Sequence, residues 1–514
     1  MHAYVRSANS WLDEHIRAYI QKHIPDVTFI HDVADLQPGI KKIFQYADGW
    51  ELNQHFAVLN ASEYGLINAY PSSDALARKD LLAQVVDYWS AKRPDTILRT
   101  HSPQTIRLTL DYAEYVDDAL MAADDLTLYY SLQENEDKDP SEREWWILKA
   151  ALCDCGAGIR IFSTMEELAN NLELVEFADD TTEEYTGEEE AEEKASKGPE
   201  ASAKDDEQLT NGHKDGQNGD DTPETEGEAD SFKPNLSIPG LSSLDALVTA
   251  SGKLSLEATA EQQQEPAQKS KEGKIRYTFK EDERIPSAQL REFVAQRYIV
   301  RVPTIEKRKW HVRAYVLSVG RLKVHVFREC LALLALKDYE PPWENPSLTS
   351  SLTNTSLQEE DEFIANNSMR DFWADFPDDM VPALGAQWKE RVFEQMCSIS
   401  SETFRAAAYT MGDRFTPLDK CFELFALDFL VDDDGVAWLL EVNETPAFYE
   451  HGVAGPMAKR LMESVICLAM EHLGAAQKWD QRNAEVRARM VEVLDETSTL
   501  AKSNIREIVP EDWK

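Results

Sequence analysis

Two carboxylates interrupt apolar, strand-like segments in DFLVDDDGVAWLLEVNETPAF, residues 428–448. The Asp434-Gly435 pair predicts a two-residue type I′ hairpin turn, because both central residues of that turn need positive φ. Counting outward from the turn places Asp428 directly opposite Glu441, and strand alternation puts Asn443 on the same face. An odd-length loop or a bulge would break this register. Opposed carboxylates repel each other across a sheet, so the pattern favours a compensating divalent cation with these three side chains as its ligands.

A candidate phosphate site lies in WWILKAALCDCGAGIRIFS, residues 145–163. A buried strand run ends at Lys149, a second strand follows, and Gly156 and Gly158 lie in the loop between them. A glycine-rich loop joining two strands can fold over phosphates with its backbone N–H groups. No helix follows the glycines, so the loop is neither a Walker A motif nor a dinucleotide-binding fingerprint. An ordinary hairpin beside a surface lysine is the structural alternative.

Two arginines are predicted to lie on apolar strands. Arg313 alternates with valine and alanine in WHVRAYVL, and Arg328 shares a face with Val324 and Val326 in RLKVHVFRE. Such an arginine must be paired or must bind an anion, and both readings are open for each of them. Together with Lys149 and the acidic strand face, these arginines suit a polyphosphate–Mg²⁺ complex, because Mg²⁺ is usually held by carboxylates and phosphate oxygens.

The composition describes a large and strongly acidic chain. Its 514 residues are 42% apolar, enough for two or three domains, and its net charge is −41. Nucleic acids and anionic membranes attract clustered Lys and Arg, so neither DNA nor a membrane is an expected partner. The six cysteines are sparse, which is typical of reduced thiols in a cytosolic or nuclear protein. No apolar run reaches membrane-spanning length, and the first residues lack the apolar core of a signal peptide.

The acidic residues concentrate in one internal segment. Residues 171–235 contain 22 Asp and Glu but only 5 Lys, and aromatic residues are few. A segment of this kind cannot bury enough apolar surface to order itself. The sequence therefore predicts a disordered acidic insertion over residues 175–274, with a weak apolar patch at 241–256.

The ordered set of motifs resembles the tubulin–tyrosine ligase family of ATP-grasp enzymes. The motifs are WWILK…CGAGIRIF, VAQRYI, RKWHVRAYVL, HVFRE, SLTNTSLQ and FELFALDFLVDDDGVAWLLEVNETPAF, and the upstream LARKDLLAQ resembles the fungal branch. The resemblance implies an α/β (α+β) ATP-grasp fold in which two antiparallel sheets sandwich the nucleotide. The implied segments are an N-terminal α/β domain at 1–80, a central domain at 81–174 and 275–302 around the insertion, a catalytic domain at 303–475, and a helical tail at 476–514.

The resemblance also implies roles for individual residues. Lys149 would contact the α and β phosphates, and Arg313 and Arg328 would hold the γ-phosphate or the acceptor carboxylate. The Mg²⁺ ligands would be Asp428, Glu441 and Asn443, as the strand argument also indicates. The remaining residues would contact ATP at its adenine, ribose or phosphates: Lys79, Gln296, Arg297, Tyr298, Ile299, Lys309, Thr353 and Asn354.

The reaction that the family implies is ATP-dependent amide formation on a protein carboxylate, with an acylphosphate as the activated form. Tyrosine added to the C-terminus of tubulin is the leading hypothesis, by a cytoplasmic, monomeric enzyme. Two alternatives stay open: a ligase that adds glutamate or glycine, and a degenerate ligase that serves as a nucleotide-binding scaffold in cytoplasmic RNA–protein bodies. This sequence departs from the family pattern at Ala150, Cys155 and His311, where the family has proline, a basic residue and an acid.

Overall fold

A computed structural model describes most of the chain outside the acidic segment. The described residues are 1–32, 35, 42–48, 56, 59–60, 62, 64–110, 115–152, 159–171, 174–177, 276–279, 292–345, 348–351, 353, 366–474 and 483–502. The greater part of the predicted insertion, from residue 178 to residue 274, lies outside them.

The strands of the described residues form four sheets. In chain order they are β1 (His2–Arg6), β2 (Thr28–Ile30), β3 (Lys42–Ala47), β4 (Tyr64–Leu66), β5 (Thr105–Thr109), β6 (Trp146–Ala150), β7 (Arg160–Phe162), β8 (Leu174–Phe177), β9 (Arg276–Phe279), β10 (Glu292–Arg297), β11 (Trp310–Val319), β12 (Lys323–Phe327), β13 (Leu331–Leu334), β14 (Met369–Asp371), β15 (Phe422–Val431), β16 (Ala437–Asn443) and β17 (Met490–Asp495).

Helices pack against these sheets. In chain order they are α1 (Ser10–His23), α2 (Asp74–Ala77), α3 (Lys79–Lys92), α4 (Leu98–His101), α5 (Val116–Ala122), α6 (Thr127–Asn135), α7 (Met165–Asn171), α8 (Leu348–Ser351), α9 (Trp388–Thr410), α10 (Ala454–His472), α11 (Ala484–Ala488) and α12 (Thr497–Lys502). Short 3₁₀ turns lie at Pro140–Glu142 and Gly385–Gln387.

The N-terminal strands form a parallel sheet in the order β2-β1-β3-β4. Strand β1 is the apolar run HAYVR, and α1 packs its buried side chains, among them Leu12 and Ile16, into the same core. Parallel strands joined through a helix are typical of α/β domains. The structure therefore contains the small N-terminal α/β unit that the resemblance implied.

The central sheet is antiparallel, in the order β5-β10-β6-β7. Because side chains alternate along a strand, its two faces differ. Ile106, Leu148 and Ala295 belong to a core cluster on one face, where α5, α6 and α7 contribute buried residues. Lys149 and Gln296 point to the other face, which remains open to the second large sheet.

The largest described sheet, named the catalytic sheet after the domain that the resemblance implies, is built around the long strand β11. Strand β15 pairs antiparallel with most of β11 on one side, while β13 and β12 share its other side. Helix α9 covers one face of the sheet, where its Val392 and Met396 join Val312 in one core cluster. Helix α10 covers much of the other face, where Met462 joins Tyr315.

Two predicted boundaries need correction. Residues 175–177, assigned to the insertion, belong to β8, which pairs antiparallel with β9 on the far side of the acidic segment. The predicted helical tail at 476–514 contains the strand β17, which pairs with β12 and forms an edge of the catalytic sheet. The segment MVEVLD at 490–495 is a short, mostly apolar run with two β-branched valines, and this is a strand signal that the sequence reading missed.

Candidate active site

A cleft between the central and catalytic sheets gathers most of the predicted site residues. Its empty space, including the solvent at its mouth, is about 660 Å³. The central sheet and the chain leading out of β10 form one wall, and β11, β15 and β16 form the other. Predicted residues that line it are Lys149, Gln296, Arg297, Tyr298, Ile299, Lys309, Thr353, Asp428 and Glu441.

Two buried lysines mark the middle of the cleft. Lys149 Nζ donates to Gln296 Oε1 at 2.9 Å, and Lys309 Nζ lies 3.9 Å from the centre of the Tyr298 ring and donates to the Ile299 carbonyl at 3.3 Å. Burial lowers the pKa of Lys149 to about 8. Burial and the charge of Lys149 lower the pKa of Lys309 to about 7. Two ammonium groups so depleted of solvent would be stabilised by a polyanion between them.

One end of the cleft is apolar. Ile147, Ile159 and Tyr298 belong to a buried cluster on the cleft face of the central sheet. Burial raises the pKa of the Tyr298 phenol well above its usual value. An apolar slot beside backbone carbonyls suits a flat heteroaromatic ring, and the Lys309 ammonium over Tyr298 lies at its edge.

The β15–β16 hairpin confirms that Asp428 and Glu441 are paired, although its turn and register differ from the predicted ones. Asp428 is paired with Glu441, and Asn443 lies two residues further along the same strand. The turn is not type I′, because only Gly435, with φ 79°, has positive φ in the loop. The hydrogen bond from the Asp432 N–H to the Val436 carbonyl closes a three-residue loop, which shifts the register by one residue.

A β-bulge restores that register before the acidic pair is reached. Phe429 pairs with Leu439, whereas Asp428 pairs with Glu441, so Leu440 is the extra residue. An odd-length loop and a bulge, each of which alone would have separated the two carboxylates, cancel each other. Bulges often re-aim side chains next to active sites, and Leu440 lines the cleft.

The acidic pair is compensated by cations on both sides. Arg313 is the cross-strand partner of Asp428 on β11, and its Nε and Nη2 donate to the two Asp428 carboxylate oxygens at 2.9 and 2.8 Å. Lys79 Nζ lies 3.6 Å from Glu441 Oε2. Although burial opposes ionisation, Arg313 and His311 hold the pKa of Asp428 well below its usual range. The structural ion pair left open for Arg313 is therefore present.

His311 and Asn443 complete the surroundings of Asp428. Asn443 Nδ2 donates to Asp428 Oδ2 at 3.2 Å. His311 is 3% exposed, its Nδ1 hydrogen-bonds to the Thr353 hydroxyl, and its Nε2 lies 3.5 Å from Asp428 Oδ1. The departure from the family pattern at His311 thus places an imidazole, not a third carboxylate, beside the acidic pair.

The sequence profile described as "Tubulin-tyrosine ligase family" matches residues 58–186 and 253–474 of the chain. The chain belongs to the tubulin–tyrosine ligase family. It is 32% identical over 385 residues to a probable tubulin–tyrosine ligase of Schizosaccharomyces pombe, an alignment that covers 75% of this chain and 72% of the relative.

Two further comparisons involve related yeast proteins. The chain is 26% identical over 496 residues to the Saccharomyces cerevisiae probable tubulin–tyrosine ligase PBY1, covering 93% of this chain but only 53% of that relative. Its fold is similar to the crystal structure of the C-terminal domain of K. lactis Pby1, described as an ATP-grasp enzyme interacting with the mRNA decapping enzyme Dcp2. The TM-score is 0.55 at 21% identity, over 96% of this chain and 98% of that one. The predicted ATP-grasp fold is thereby confirmed.

The oxygen donors of the cleft fit the Mg²⁺ that the tubulin–tyrosine ligase family implies. Mg²⁺ is usually held by one or two carboxylates together with phosphate oxygens and water. Asp428 and Glu441 supply two carboxylates from paired strand positions, with the Asn443 amide beside them. Within the described ranges, no group of three or more His, Cys, Asp or Glu side chains could hold a metal ion. The donor set therefore fits a cation shared with a polyphosphate, not one held by protein alone.

Arg328 does not join the other predicted residues of this family member. Val316 pairs with Val326, so residues 326 and 328 point to the α9 face of the sheet, opposite to Arg313. Arg328 Nη2 donates to Glu390 Oε2 at 2.6 Å, and its guanidinium lies 4.2 Å from the Trp373 ring centre. The prediction that Arg328 shares the phosphate site with Arg313 needs correction, because hairpin pairing places the two arginines on opposite faces.

The remaining predicted residues have different positions. Lys79 begins α3 and reaches the site from outside both sheets. Asn354 and the glycine-rich loop at 153–158, with Cys155, lie outside the described residues. The sequence reading missed the apolar lining, Ile147, Ile159, Leu430 and Leu440. Strand alternation from Lys149 and Asp428 could have indicated Ile147 and Leu430.

No helix in the described parts of the chain is both long and apolar enough to cross a membrane.

Proposed function

We propose that this chain is an ATP-dependent amide ligase that activates a protein carboxylate and joins it to the amine of a free amino acid. The leading reaction is the addition of tyrosine to the C-terminus of tubulin, in the cytoplasm. The first relative is named as a probable ligase of that kind, and it aligns with three quarters of this chain. The proposal rests most on one observation: a single cleft holds two buried lysines and a paired Asp and Glu.

The lysines would bind the polyphosphate. Lys149 and Lys309 have folded-state pKa values of about 8 and 7 in the free protein. Bound phosphates would restore their full charge, because a neighbouring anion favours the protonated form. Gln296, Tyr298 and the Ile299 carbonyl keep the two ammonium groups in place.

The acids would hold the metal. When bound, Mg²⁺·ATP would supply the phosphoryl group that activates the acceptor carboxylate, with ADP released, so that the amine can displace phosphate and form the amide. Glu441 and Asp428 would hold the cation from adjacent strands. Arg313 keeps Asp428 ionised and oriented by its two hydrogen bonds, and it would add positive charge where the transferring group becomes more negative.

A glutamate- or glycine-adding ligase is the first alternative. The Caenorhabditis briggsae tubulin polyglutamylase ttll-4 is 30% identical to the chain over 185 residues, and a Tetrahymena thermophila tubulin glycylase 3C is 24% identical over 210 residues. These enzymes share the proposed chemistry and differ in the amine. Only the second substrate therefore separates them from the leading proposal.

A nucleotide-binding scaffold is the second alternative. The domain of similar fold from K. lactis is described as interacting with a decapping enzyme. In this chain, His311 replaces an acid next to Asp428, and Arg313 already occupies both Asp428 oxygens. A chain that binds Mg²⁺·ATP without turnover in cytoplasmic RNA–protein bodies would be consistent with both observations.

The decisive experiment combines purified protein, Mg²⁺·ATP, detyrosinated tubulin and each amino acid in turn. Mass spectrometry of the tubulin tails would detect added tyrosine, glutamate or glycine, and ADP release would be measured in parallel. Tail modification that depends on tyrosine supports the leading proposal, and modification with glutamate or glycine supports the first alternative. ATP binding without ADP release or modification would contradict both ligase proposals and favour the scaffold.

A matched variant guards against contaminating activity. Glu441→Gln removes a carboxylate that faces the cleft without changing the size of the side chain. It should abolish both modification and ADP release while the protein remains folded. Activity that survives although the variant has lost its Mg²⁺·ATP affinity would come from another protein in the preparation, whereas activity that survives with unchanged affinity would exclude Glu441 as a metal ligand.

A further inference from the structure

A second cavity continues the nucleotide cleft past its phosphate end. The two cavities share Lys149, Gln296 and Leu440 in their walls. The second one lies between α3 and the cleft face of β5 and β10, away from the apolar slot beside Tyr298. A molecule bound there would lie next to the lysine and the acids of the phosphate end.

One row of side chains runs from the first cavity into the second. Lys149 on β6 pairs with Val294 on β10, and Val294 pairs with Arg107 on β5. The three side chains therefore lie side by side on the cleft face. Because neighbouring strands are about 4.8 Å apart, the Arg107 backbone is about 10 Å from that of Lys149. This spacing leaves room for a small ligand beside a bound polyphosphate.

The second cavity carries charges of both signs. Its cations are Lys79, Arg99, Arg107 and Lys149, and its acids are Asp87, Asp124 and Asp125. A purely anionic ligand would meet three carboxylates, and a purely cationic one would meet four positive groups. A free α-amino acid carries a carboxylate and an ammonium group on one carbon, so it matches a mixed lining better than either.

Arg107 and Asp87 are the charged groups best placed to receive such a ligand. Arg107 Nη2 donates to Asp124, whose side chain is 83% exposed, and an ion pair with so exposed a partner contributes little and can be exchanged. Asp125 accepts from the Thr127 N–H and from Gln104, so it already has partners. Asp87 faces the same cavity from α3.

Two serine hydroxyl groups in the wall of the second cavity also lack hydrogen-bond partners within the described part of the chain. Ser90 Oγ and Ser102 Oγ line the second cavity, are buried, and have no hydrogen-bond partner among the described residues. Buried polar groups are nearly always hydrogen-bonded in folded proteins. These two unpaired hydroxyls lie in the wall behind the mixed-charge lining.

We propose that the second cavity binds the free amino-acid substrate, with the amino acid's α-carboxylate on Arg107 and its ammonium group on Asp87. The inference rests on the proposed function, because it assigns the second substrate of that ligase. Arg107 would thereby bind a substrate carboxylate, a role that Arg328 cannot have because it lies on the opposite face of the catalytic sheet.

Calorimetry tests the assignment without relying on turnover. Protein saturated with Mg²⁺ and a non-hydrolysable ATP analogue would be titrated with L-tyrosine, L-glutamate and glycine, and with the α-carboxamide of each. Arg107→Ala should weaken binding of the preferred amino acid by about tenfold to a hundredfold, as expected for a lost hydrogen bond to a charged group. The carboxamide should bind the wild type and the variant equally, and Arg107→Lys should recover part of the loss.

Arg99→Ala is the matched control. Arg99 lines the same cavity, but its Nη1 donates to the Pro94 carbonyl, so its removal should change amino-acid affinity less than twofold. Affinity for the ATP analogue and the melting temperature should be unchanged in all three variants. The proposal is overturned if the wild type binds none of the three amino acids, or if Arg107→Ala binds the acid and its amide as the wild type does.

The same variants separate this inference from the proposed function. If the wild type forms amide and the amino-acid KM does not depend on Arg107, the ligase proposal stands and this site is wrong. If the amino acid binds in an Arg107-dependent way but no amide forms, this site stands and the ligase proposal is wrong.

Discussion

Arg313 and Asp428 lie opposite each other on neighbouring strands of the catalytic sheet and form a bidentate ion pair. The distances are 2.9 Å from Arg313 Nε to Asp428 Oδ1 and 2.8 Å from Arg313 Nη2 to Asp428 Oδ2. Asp428 is also the cross-strand partner of Glu441, whose carboxylate lies 3.6 Å from Lys79 Nζ. The four side chains thus form a row in which the two acids lie in the middle and a cation lies at each end. The free protein tolerates two opposed carboxylates because a cation stands at each end of the row.

Replacing Arg313 with alanine should destabilise the fold. Asp428, which is 2% exposed, would keep a buried charge without its partner, and a pair broken in this way typically costs about 3–5 kcal/mol. The pKa of Asp428 is lowered in the folded state, so this contribution should be fully present above about pH 4 and fall as the pH drops below it. Urea unfolding at pH 7 would measure the loss. The double variant Arg313→Ala with Asp428→Asn should recover part of it, and no recovery would contradict the assignment.

Glu441→Gln should separate metal binding from stability. The substitution removes the like-charge opposition to Asp428 and also the ion pair with Lys79, and these two effects oppose each other, so the free energy of unfolding should change little. Affinity for Mg²⁺·ATP should fall at least tenfold, because one of two carboxylate ligands is lost. Calorimetry with and without Mg²⁺ would check both effects. Asp428→Ala is the poorer test, since it leaves Arg313 buried and unpaired. Unchanged Mg²⁺·ATP affinity in Glu441→Gln would exclude it as a metal ligand.

ATP binding should be linked to proton uptake at mildly basic pH. The pKa of Lys309 is about 7 in the free protein, against an ordinary 10.5. A lysine with a lowered folded-state pKa binds fewer protons than it does in the unfolded chain, so stability of the free protein should rise between about pH 7 and pH 10. Bound phosphates reverse the shift, so binding at pH 8 should take up protons. Titrations in buffers of different ionisation enthalpy would measure this uptake.

The matched control for that experiment is Lys307→Met. Lys307 is exposed and lies two residues before Lys309. It should show the wild-type proton uptake, whereas Lys309→Met should show less. Equal uptake in both variants would mean that Lys309 does not meet the phosphates.

Arg328→Ala should affect stability and leave catalysis alone. The guanidinium packs on Trp373 and Phe393 and pairs with Glu390, which is 51% exposed. Such contacts are worth about 1–2 kcal/mol together. The melting temperature should fall slightly, while ATP affinity and activity per folded molecule stay at wild-type values. A hundredfold loss of activity with normal stability would contradict this prediction and indicate that Arg328 acts in catalysis.

Deleting residues 183–270 should leave the melting temperature and the ATP affinity nearly unchanged. The sequence predicts a disordered tether there, and β8 and β9 on its two sides pair with each other, so the chain ends to be joined are close together. Thermal unfolding and calorimetry of the shortened protein would test this. A loss of solubility or stability would show that the apolar patch at 241–256 packs on the domain.

The sequence by itself determined the local pattern of the site. Side chains alternate along every strand, so the placing of Asp428 and of the pair Glu441 and Asn443 on single strand faces follows from their spacing alone. The end of an apolar strand run located Lys149 in the same way. The order of the motifs indicated the family, and with it the two sheets that sandwich a nucleotide.

Tertiary structure alone decided how those faces meet. Spacing within one strand does not fix the register between strands, and here a three-residue loop and a bulge at Leu440 had to offset each other. Spacing does not fix partners either: strand pairing joined Arg313 to Asp428 and turned Arg328 to the opposite face. The second cavity arises only where α3 meets the central sheet. Each of these outcomes depends on contacts between residues distant in the chain, which no local period encodes.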